Sequence, residues 1–408
     1  MSKDFTSAAL TALTGQCDCD CDCARAVSTD WLPTLGEAQP IPPVETPLVL
    51  AAWLHITDRC NLRCDYCYTA HAAADMSLAI GRASIDAIFR SAAAHGYHAV
   101  KLKYAGGEPL LQFPLVLELH RYAQAQAARS GIALAGIVLS NGTLLTAEMV
   151  AQMQTVGLRL MISLDGIGAA HDCQRHYADG RGSFTEVARA IETALAGGLM
   201  PEISITISGR NAASLAETVA WVLQRNLPFS LNFYREHSRS RCQSDLQLED
   251  ERIIAGMLAA YRVIEGNLPD RSLLGALADR ANLSGPHLRT CSAGQSYLAF
   301  DTQGRISKCQ MDMAHPVTNC SDSDPLASCR VSDIGLCNPI VDEKEECKAC
   351  AWRYVCGGGC PLQAQQITGS YYGKSPYCAI YQALLPEVVH LETLRLQQQN
   401  HIALTSLV

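Results

Sequence analysis

A loop with three cysteines is the part of the sequence best suited to metal chemistry. Cys60, Cys64 and Cys67 lie in "RCNLRCDYC" with the spacing C-x3-C-x2-C, and no fourth cysteine follows nearby. Structural zinc sites are closed by four ligands and usually pair two C-x2-C units, a pattern that this loop does not have. Three thiolates with an open position suit a 4Fe–4S cluster in which one iron has no protein ligand. The loop therefore predicts a metal centre at which a further molecule binds.

Composition limits the class of protein. The sequence has 408 residues, 48% hydrophobic residues and a formal net charge of -8. This length allows a sizeable core and predicts two or three domains. The acidic balance argues against a nucleic-acid partner, because no basic surplus is available for phosphates. With no apolar run of about 18 residues and no secretory signal, we expect a cytoplasmic protein without a membrane partner.

The protein contains nineteen cysteines, which is unusual for a chain of this size without a secretory signal. The cytosol keeps thiols reduced, so these cysteines are not expected to form disulfides. We expect many of them to be metal ligands, and their spacing then indicates which metal they bind.

Six strand–helix units must position the cysteine loop. Apolar strand-like runs alternate with helical patterns from residue 47 to about residue 265, which predicts a parallel sheet with right-handed crossovers. The pattern fits either a doubly wound sheet or a curved partial barrel, and in both folds functional groups lie at the C-terminal ends of the strands. The predicted strands are 48–56, 99–105, 133–140, 158–165, 201–208 and 229–235. The predicted helices are 78–95, 112–130, 146–156, 183–197, 212–226 and 249–266, the fourth with a capping box of Ser183 and Glu186.

The sequence changes character after about residue 285, where regular periodicity fades and glycines and cysteines increase. This change predicts a small domain in which metal ligation replaces an extensive core. We therefore expect four segments. They are an N-terminal extension over residues 1–46, a strand–helix domain over 47–285, a metal-binding domain over 286–385, and a helix and tail over 386–408.

Three short motifs follow successive predicted strands. They are "GGEP" at 106–109, "SNGT" at 140–143 and "SLDG" at 163–166. Together with the cysteine loop and its aromatic Tyr66, they resemble the radical S-adenosylmethionine (SAM) superfamily. In that superfamily the amino and carboxylate groups of the cofactor's methionine fill the open iron position. The resemblance implies that the missing fourth ligand is SAM, and that the fold is α/β, a partial (β/α)6 TIM-type barrel.

The same resemblance implies which residues contact SAM. The glycines of "GGEP" allow close backbone approach, and Glu108 is an acceptor for an ammonium group. Ser163 and Asp165 are expected near the ribose or the methionyl moiety, and Arg175 in "HDCQRH" resembles the residue that pairs with the cofactor carboxylate. The full expected set is Tyr66, Gly106, Gly107, Glu108, Pro109, Ser140, Asn141, Ser163, Asp165 and Arg175.

A second set of cysteines lies in the C-terminal part of the sequence. "CKACAWRYVCGGGC" holds four of them with spacings x2, x5 and x3, two more lie upstream and one downstream. This seven-cysteine pattern resembles the SPASM extension of radical SAM enzymes, which houses two auxiliary iron–sulfur clusters; a structural zinc ribbon is the alternative. By resemblance, the four-cysteine group consists of Cys347, Cys350, Cys356 and Cys378. The three-cysteine group consists of Cys291, Cys309 and Cys360.

The three-cysteine group lacks a fourth thiolate. Its cluster either keeps an open iron, which can bind a substrate thiolate, or takes a thiolate from Cys320, Cys329 or Cys337. Cys173 and Cys242 are interpreted as incidental or buried thiols. The repeat "CDCDCDC" (Cys17, Cys19, Cys21 and Cys23 with aspartates between them) is interpreted as a low-complexity segment, a metal scavenger or an imitation of a substrate.

Histidines near the expected site have two interpretations each. His55 on the first strand is interpreted as a residue that lines the barrel or as a core histidine with its hydrogen bonds satisfied. His237 with Arg235, Arg239 and Arg241 is interpreted as a basic patch at the substrate entrance or as a solvated loop.

The resemblance implies SAM, three 4Fe–4S clusters and an external one-electron reductant such as ferredoxin or flavodoxin. Its usual substrates are peptides and proteins. We predict a maturase that installs a cross-link in a ribosomally made peptide, either a carbon–carbon cyclophane or a thioether. An alternative of another class is a non-catalytic iron–sulfur electron carrier or redox sensor.

A second enzymatic alternative is an anaerobic sulfatase-maturing enzyme, which forms formylglycine. Such enzymes typically carry an aspartate base directly after the second SPASM cysteine. Here Gln310 occupies that position, and Asp312, two residues on, is the candidate catalytic base. Because glutamine cannot accept a proton in that role, the sequence favours cross-linking.

Overall fold

The computed structural model describes residues 48–240 and 243–405, with the side chains as far as residue 399. The N-terminal extension with the Cys17–Cys23 repeat lies outside the described residues, as do Arg241 and Cys242. The predictions made for those residues stay predictions.

One sheet of nine strands runs through the described part of the chain. The six predicted strands are all present, with ends within two residues of the predicted ones. A seventh strand and a short antiparallel pair extend the sheet. The strands are β1 Val49–Thr57, β2 Ala99–Gly106, β3 Ala133–Ser140, β4 Leu158–Ser163, β5 Glu202–Ile207, β6 Phe229–Phe233, β7 Tyr297–Phe300, β8 Arg305–Ser307 and β9 Thr318–Asn319.

All six predicted helices form, and further short helices follow in the C-terminal part. The helices are α1 Leu78–Ala94, α2 Phe113–Ser130, α3 Ala147–Thr155, α4 Ala169–Asp172, α5 Phe184–Ala196, α6 Leu215–Gln224, α7 Asp250–Glu265, α8 Pro325–Val331, α9 Arg353–Cys356, α10 Pro361–Thr368 and α11 Cys378–Thr405. Six 3-10 turns cover Pro109–Gln112, Ala212–Ser214, Ser244–Leu246, Gln310–Asp312, Val341–Glu343 and Glu345–Cys347.

The strand order decides between the two predicted folds. The order is β6-β5-β4-β3-β2-β1-β7-β8-β9, and the strands from β1 to β6 pair in parallel with their neighbours in sequence. A doubly wound sheet reverses its strand order at a switch point, and no reversal occurs among these six strands. The fold is therefore the α/β partial barrel, and the alternative of a doubly wound sheet is wrong.

The two faces of β1 show how the barrel is layered. Leu50, Ala52 and Leu54 belong to the large core formed with the surrounding helices. Ala51 and Trp53 point the other way and pack with residues of β2 and β7 in a separate apolar cluster. This alternation follows from the two-residue period of a strand. The loop that carries the first three cysteines begins where β1 ends, next to this inner face.

The C-terminal part is joined to the barrel rather than separate from it. β7 pairs in parallel with β1, with Ala51 opposite Tyr297 and Leu54 opposite Phe300. At the other end, α11 continues through Pro386 without interruption, so the predicted boundary between residues 385 and 386 falls inside a helix. The division of the chain into four segments remains a prediction.

The predicted capping box at α5 is wrong. Ser183 makes no side-chain cap hydrogen bond. Its hydroxyl instead donates to the carbonyl oxygen of Arg175 at 2.8 Å. Asp172 takes over the cap, because its Oδ1 accepts from the backbone N–H groups of Ser183 and Phe184, each at 2.8 Å. A residue eleven positions upstream thus replaces the local motif.

No helix in residues 48–240 or 243–405 is long and apolar enough to cross a membrane. The cytoplasmic location stays a prediction.

A buried ion pair joins the barrel to the C-terminal helix. The Arg235 guanidinium, just after β6, donates to both oxygens of Asp279, at 2.8 and 2.6 Å. Asp279 also accepts from the backbone N–H of Phe233 at 2.8 Å and from the hydroxyl of Tyr381 on α11 at 2.7 Å. Burial raises the pKa of Asp279, but Arg235, Arg280 and the Tyr381 hydroxyl together outweigh burial and leave that pKa below its usual range.

We predict that Asp279→Asn lowers the free energy of unfolding by about 3–5 kcal/mol, because Arg235 then lies buried without its carboxylate. The pKa of Asp279 is lower in the folded state, so this stability is present at neutral pH and is lost as the pH falls through the depressed value. Urea unfolding measures it. The control Asp333→Asn changes an exposed carboxylate and should alter stability by no more than about 0.5 kcal/mol. Equal effects of the two substitutions would contradict the assignment.

Candidate active site

The cluster loop, residues 58–77, connects β1 to α1 and carries Cys60, Cys64 and Cys67. It begins at the C-terminal end of a parallel strand, as the sequence predicts. Thr57 and Asp75 close its base, with the threonine hydroxyl donating to the carboxylate at 2.6 Å. The loop is therefore held at both ends at the edge where the β2, β3 and β4 motifs also emerge.

The "GGEP" turn after β2 supports the cluster loop through its backbone. The Gly107 N–H donates to the carbonyl oxygen of Thr57 at 2.7 Å, and the Glu108 N–H donates to that of Arg59 at 2.8 Å. A Cβ atom on Gly107 would lie 2.2 Å from the carbonyl oxygen of Arg59. Gly106 has φ +137°, a conformation that glycine adopts without strain. The glycines are thus required by the contact with the cluster loop itself.

The segment after α4 holds the other side of the cluster loop. The Arg63 N–H donates to the carbonyl oxygen of His176 at 2.7 Å, and the Asp65 N–H donates to that of Gln174 at 3.1 Å. The Asp65 carboxylate is also bound by His176, at 3.2 Å, and by Arg210. The loop therefore has little freedom to move when it binds metal.

The three thiols of the cluster loop form one half-buried group. Burial, helped by the nearby Glu108 and Cys67, raises the pKa of Cys60 to about 11. Burial raises the pKa of Cys64 to about 12, with Cys67 and Cys60 also contributing. Mutual repulsion of this kind requires short distances between the sulfur atoms. Buried thiolates need a positive charge, which iron supplies, so this donor set fits the expected cluster.

Within the described ranges, no three histidine, cysteine, aspartate or glutamate side chains converge on one point as ligands of a single metal ion. The thiolates of an iron–sulfur cluster bind separate irons, so they need not converge in this way.

Glu108, expected as an acceptor for the cofactor's ammonium group, is fully buried and already bonded. Its Oε1 accepts from the Leu110 N–H at 2.9 Å and from the Ser140 hydroxyl at 2.8 Å. Its Oε2 accepts from the Asn141 N–H at 2.7 Å. Glu108 therefore ties the end of β2 to the end of β3, and one lone pair of Oε2 is left for a further donor.

The remaining residues of the expected SAM set lie around this junction. Asn141 places its Nδ2 3.7 Å from the Cys60 sulfur and 3.0 Å from Asn61 Oδ1. Pro109 begins the 3-10 turn after β2, and Ser163 is the last residue of β4. The structure thus brings the "GGEP" and "SNGT" motifs beside the cluster loop.

Tyr66, Asp165 and Arg175 form a buried chain of hydrogen bonds. The Tyr66 hydroxyl donates to Asp165 Oδ2 and accepts from Arg175 Nη1. Arg175 Nη1 also lies 3.4 Å from Asp165 Oδ2, and Asp165 Oδ1 accepts from the Thr206 N–H at 2.8 Å. The Nε atom of Arg175 is buried without a partner in the structure. That unused donor beside Cys64 fits the expected pairing with a cofactor carboxylate.

His237 and Arg239 hold the cluster loop from the side of β6, a role that the sequence analysis did not give them. His237 donates from Nε2 to the Tyr66 carbonyl oxygen at 3.0 Å, and Arg239 donates to the Tyr68 carbonyl oxygen at 3.3 Å. His237 is buried, so the interpretation as a solvated loop is wrong for it, and Arg235 is paired with Asp279. The interpretation as a basic patch at the substrate entrance stays a prediction. Sequence spacing carries no signal for these contacts.

His55 lies buried on the inner face of β1, with its Nε2 2.8 Å from Asp58 Oδ1. The interpretation as a barrel-lining histidine agrees with this position.

The C-terminal cysteines assemble into two groups, as the resemblance implied. Burial raises the pKa of Cys356 to about 12, and the other members of the group, Cys350, Cys347 and Cys378, contribute to this rise. Burial likewise raises the pKa of Cys309, together with Cys291 and Cys360. Each predicted group is therefore a set of neighbouring thiols. Their binding of two auxiliary clusters remains a prediction.

Of the three suggested donors of a fourth thiolate, only Cys337 borders the three-cysteine group. Asn338 donates to the carbonyl oxygen of Cys291 at 2.9 Å, and Leu336 packs in the apolar cluster that includes the three thiols. Cys320 lies against α1, where Arg90 donates to its carbonyl oxygen at 3.2 Å, and Cys329 lies in the main core. An open iron and a Cys337 ligand both remain consistent with this arrangement.

The candidate base Asp312 is bonded within the protein. Its Oδ2 accepts from the Leu336 N–H at 2.7 Å, and its Oδ1 lies 2.7 Å from His315 Nδ1. Gln310, at the position of the sulfatase-type base, accepts from the Tyr297 hydroxyl at 2.8 Å. Both side chains therefore have structural partners.

Comparison with known proteins identifies the class of the barrel. Residues 54–222 match the model of the radical SAM superfamily, and this stretch covers the cluster loop and the three motifs. The chain therefore contains a radical SAM domain, whose members use SAM and a 4Fe–4S cluster.

Two relatives and one solved structure are similar to most of the chain. A pre-heme d1 synthase from Dinoroseobacter shibae is 26% identical over 382 residues, which cover 82% of this chain and 86% of the relative. A serine-type anaerobic sulfatase-maturating enzyme from Klebsiella aerogenes is 23% identical, with coverage of 82% and 85%. The structure of anSMEcpe with bound AdoMet and Cp18Cys peptide superposes with a TM-score of 0.67 at 16% identity, covering 85% of this chain and 99% of that one.

These matches show that the protein is an enzyme with a radical SAM partial-barrel fold. The alternative of a non-catalytic electron carrier or redox sensor is therefore wrong.

We predict that Gly107→Ala displaces the cluster loop, because the new methyl group would meet the Arg59 carbonyl oxygen. The expected result is loss of iron from the loop site and a lower thermal unfolding temperature. The control is Gly285→Ala, since a Cβ atom there meets no atom within 4 Å. Iron content after anaerobic reconstitution and thermal unfolding measure both effects. If Gly107→Ala retained full iron and wild-type stability, the contact would not be needed.

Proposed function

We propose that the protein is a radical SAM peptide maturase that installs a carbon–carbon or thioether cross-link in a ribosomally made peptide. The observation that carries the proposal is the assembly of ten thiols into three separate groups, one beside the "GGEP" and "SNGT" motifs and two in the C-terminal part. The peptide-bound anSMEcpe structure, similar over nearly its whole length, supports a peptide or protein as the substrate.

The residues of the site have the types that SAM and a 4Fe–4S cluster require. When bound, this pair supplies a 5′-deoxyadenosyl radical after one-electron reduction. Cys60, Cys64 and Cys67 would hold the cluster, and Arg175 would bind the cofactor's carboxylate through its unused Nε. Glu108 would accept from the cofactor's ammonium group, and Asp165 and Tyr66 would keep Arg175 oriented.

The residue that follows Cys309 favours cross-linking over formylglycine formation. Gln310, at the position of the sulfatase-type base, cannot take a proton. Asp312, two residues on, is already bonded to the Leu336 N–H and to His315. Formylglycine formation remains the second candidate, since the sulfatase-maturating relative is similar over most of both chains.

The cross-linking reaction removes two hydrogen atoms from the peptide. One would leave as a hydrogen atom, taken by the radical that SAM supplies. The other would leave as a proton, and the remaining electron would need an acceptor as the new bond forms. Two auxiliary 4Fe–4S clusters, on the four-cysteine and three-cysteine groups, would accept that electron. An external reductant of the ferredoxin or flavodoxin type would start each turnover.

A third candidate comes from the pre-heme d1 synthase relative. Its name favours a haem-type tetrapyrrole as an alternative substrate. Adding iron coproporphyrin and following its absorbance tests this candidate directly, because a tetrapyrrole substrate would bind and change its spectrum on turnover.

We predict that the reconstituted protein binds about twelve irons per chain, as three 4Fe–4S clusters require. With dithionite and SAM it should form 5′-deoxyadenosine. The triple variant Cys60→Ala, Cys64→Ala, Cys67→Ala should retain about eight irons and form none. The control Cys173→Ala changes an exposed thiol outside the three groups and should behave as wild type. Bound iron without any 5′-deoxyadenosine would contradict the proposal, and bound zinc would contradict the assignment of the loop.

We predict that turnover with short cysteine- or aromatic-rich peptides encoded beside the gene yields a product lighter by two hydrogen atoms. The product should not react with a hydrazide probe, because a cross-link contains no aldehyde. A hydrazide-reactive product would identify formylglycine instead and contradict the cross-linking proposal. Mass spectrometry with fragmentation measures both outcomes, and the triple cysteine variant is the control.

A further inference from the structure

A lysine without a carboxylate partner lies between the two auxiliary groups. Lys344 follows the 3-10 turn Val341–Glu343, and its side chain is 1% exposed. Its Nζ donates to the Gly358 carbonyl oxygen at 3.1 Å. Lysine is almost never fully buried unless it is paired.

The acidic residues beside Lys344 in sequence are turned to other partners. Glu343 accepts from the Ile340 N–H at 3.0 Å, and Glu345 pairs with Lys348 at 2.5 Å. Among the ion pairs within the described residues, none includes Lys344. The positive charge therefore needs a different source of compensation, because an unpaired buried ammonium group is costly.

Lys344 packs against the three glycines that connect the four-cysteine group to the three-cysteine group. Gly358 is the middle residue of "CGGGC", which separates Cys356 of the four-cysteine group from Cys360 of the three-cysteine group by only three residues. A Cβ atom on Gly358 would lie 2.6 Å from Cδ and 3.0 Å from Nζ of Lys344. The lysine stem thus packs directly against the link between the two groups.

The electrostatic surroundings of Lys344 agree with this position. Burial leaves the pKa of Lys344 below its usual value, although four neighbouring thiolates oppose that shift. Two of these thiolates, Cys347 and Cys356, belong to the four-cysteine group, and Cys360 and Cys291 belong to the three-cysteine group. The hydrogen bond to Gly358, two residues from Cys356 and two from Cys360, places the Lys344 ammonium group at the link between the two groups.

We propose that Lys344 is the shared counter-ion of the two auxiliary clusters and makes both of them better electron acceptors. The inference rests on the proposed function, since it requires both clusters. A cluster that accepts an electron gains one negative charge, and a nearby fixed cation stabilises that reduced form. Lys344 would affect the reaction only through the potentials of the clusters and would not contact the substrate, so it is not a catalytic residue.

The test uses the full-length Cys60→Ala, Cys64→Ala, Cys67→Ala protein, in which only the auxiliary clusters remain. In that background Lys344→Met and Lys344→Gln remove the charge, and Lys344→Arg keeps it. Lys348→Met is the matched control, because Lys348 is next to Cys347 in sequence but about half exposed. Iron content is measured first, and the midpoint potentials of both clusters are then followed by electron paramagnetic resonance during a redox titration.

The proposal expects both midpoint potentials to become more negative in Lys344→Met and Lys344→Gln at unchanged iron content. Lys344→Arg should shift less, and Lys348→Met should leave both potentials unchanged. Full iron with unshifted potentials would overturn it, as would a shift in only one cluster. If the neutral variants lose iron, recovery of iron in Lys344→Arg supports a need for the charge, and no recovery overturns the proposal.

Failure of the proposed function looks different from failure of this inference. If the background protein with Lys344 intact binds no iron, the auxiliary clusters themselves are absent. If it binds about eight irons and the midpoint potentials do not change when Lys344 is substituted, only the role of the lysine is wrong.

Discussion

The burial of thiols is the constraint on which the rest of this structure depends. A buried thiol resists ionisation, as the raised pKa values of Cys60 and Cys64 show, and only a positively charged partner makes the thiolate stable there. The protein must therefore hold the thiols together before metal binds. It does so through the backbone of the cluster loop, which is bound on one side by the turn at Gly107 and on the other by the segment around His176.

The sheet brings these supports together. Each of the first four strands ends at the same edge, and the segments after β1, β2, β3 and β4 meet there through hydrogen bonds between different loops. Glu108 joins the ends of β2 and β3, and Asp165 joins the segment after β4 to Tyr66 of the cluster loop. The carboxylates of Glu108 and Asp165, which the sequence analysis expects to contact SAM, thus also connect loops to each other. One lone pair of Glu108 Oε2 and the Nε–H of Arg175 are left for hydrogen bonds to a bound molecule.

The C-terminal part extends the same sheet and repeats the principle of buried thiols at a second location. β7 pairs with β1, so the segment that bears Cys291 and Cys309 is held against the barrel near the inner face of β1. The ion pair of Arg235 and Asp279 and the hydroxyl of Tyr381 tie α11 to the end of β6. In this part a buried lysine accompanies the thiols, whereas a buried arginine, Arg175, accompanies those of the cluster loop. Each buried cation lies where negative clusters are expected.

The sequence by itself determined the strands and the main helices, because each depends on local periodicity. The division of the C-terminal cysteines into two groups came from the resemblance to the SPASM extension. The predicted strand ends lie within two residues of the observed ones, and the cysteines expected together are neighbours. Only the tertiary structure decided the strand order, the pairing of β7 with β1, the replacement of the Ser183 cap by Asp172, and the partners of Arg235, His237 and Lys344. These features depend on contacts between residues far apart in the chain. Local pattern carries no information about such contacts, and burial decides which partner a polar group must find.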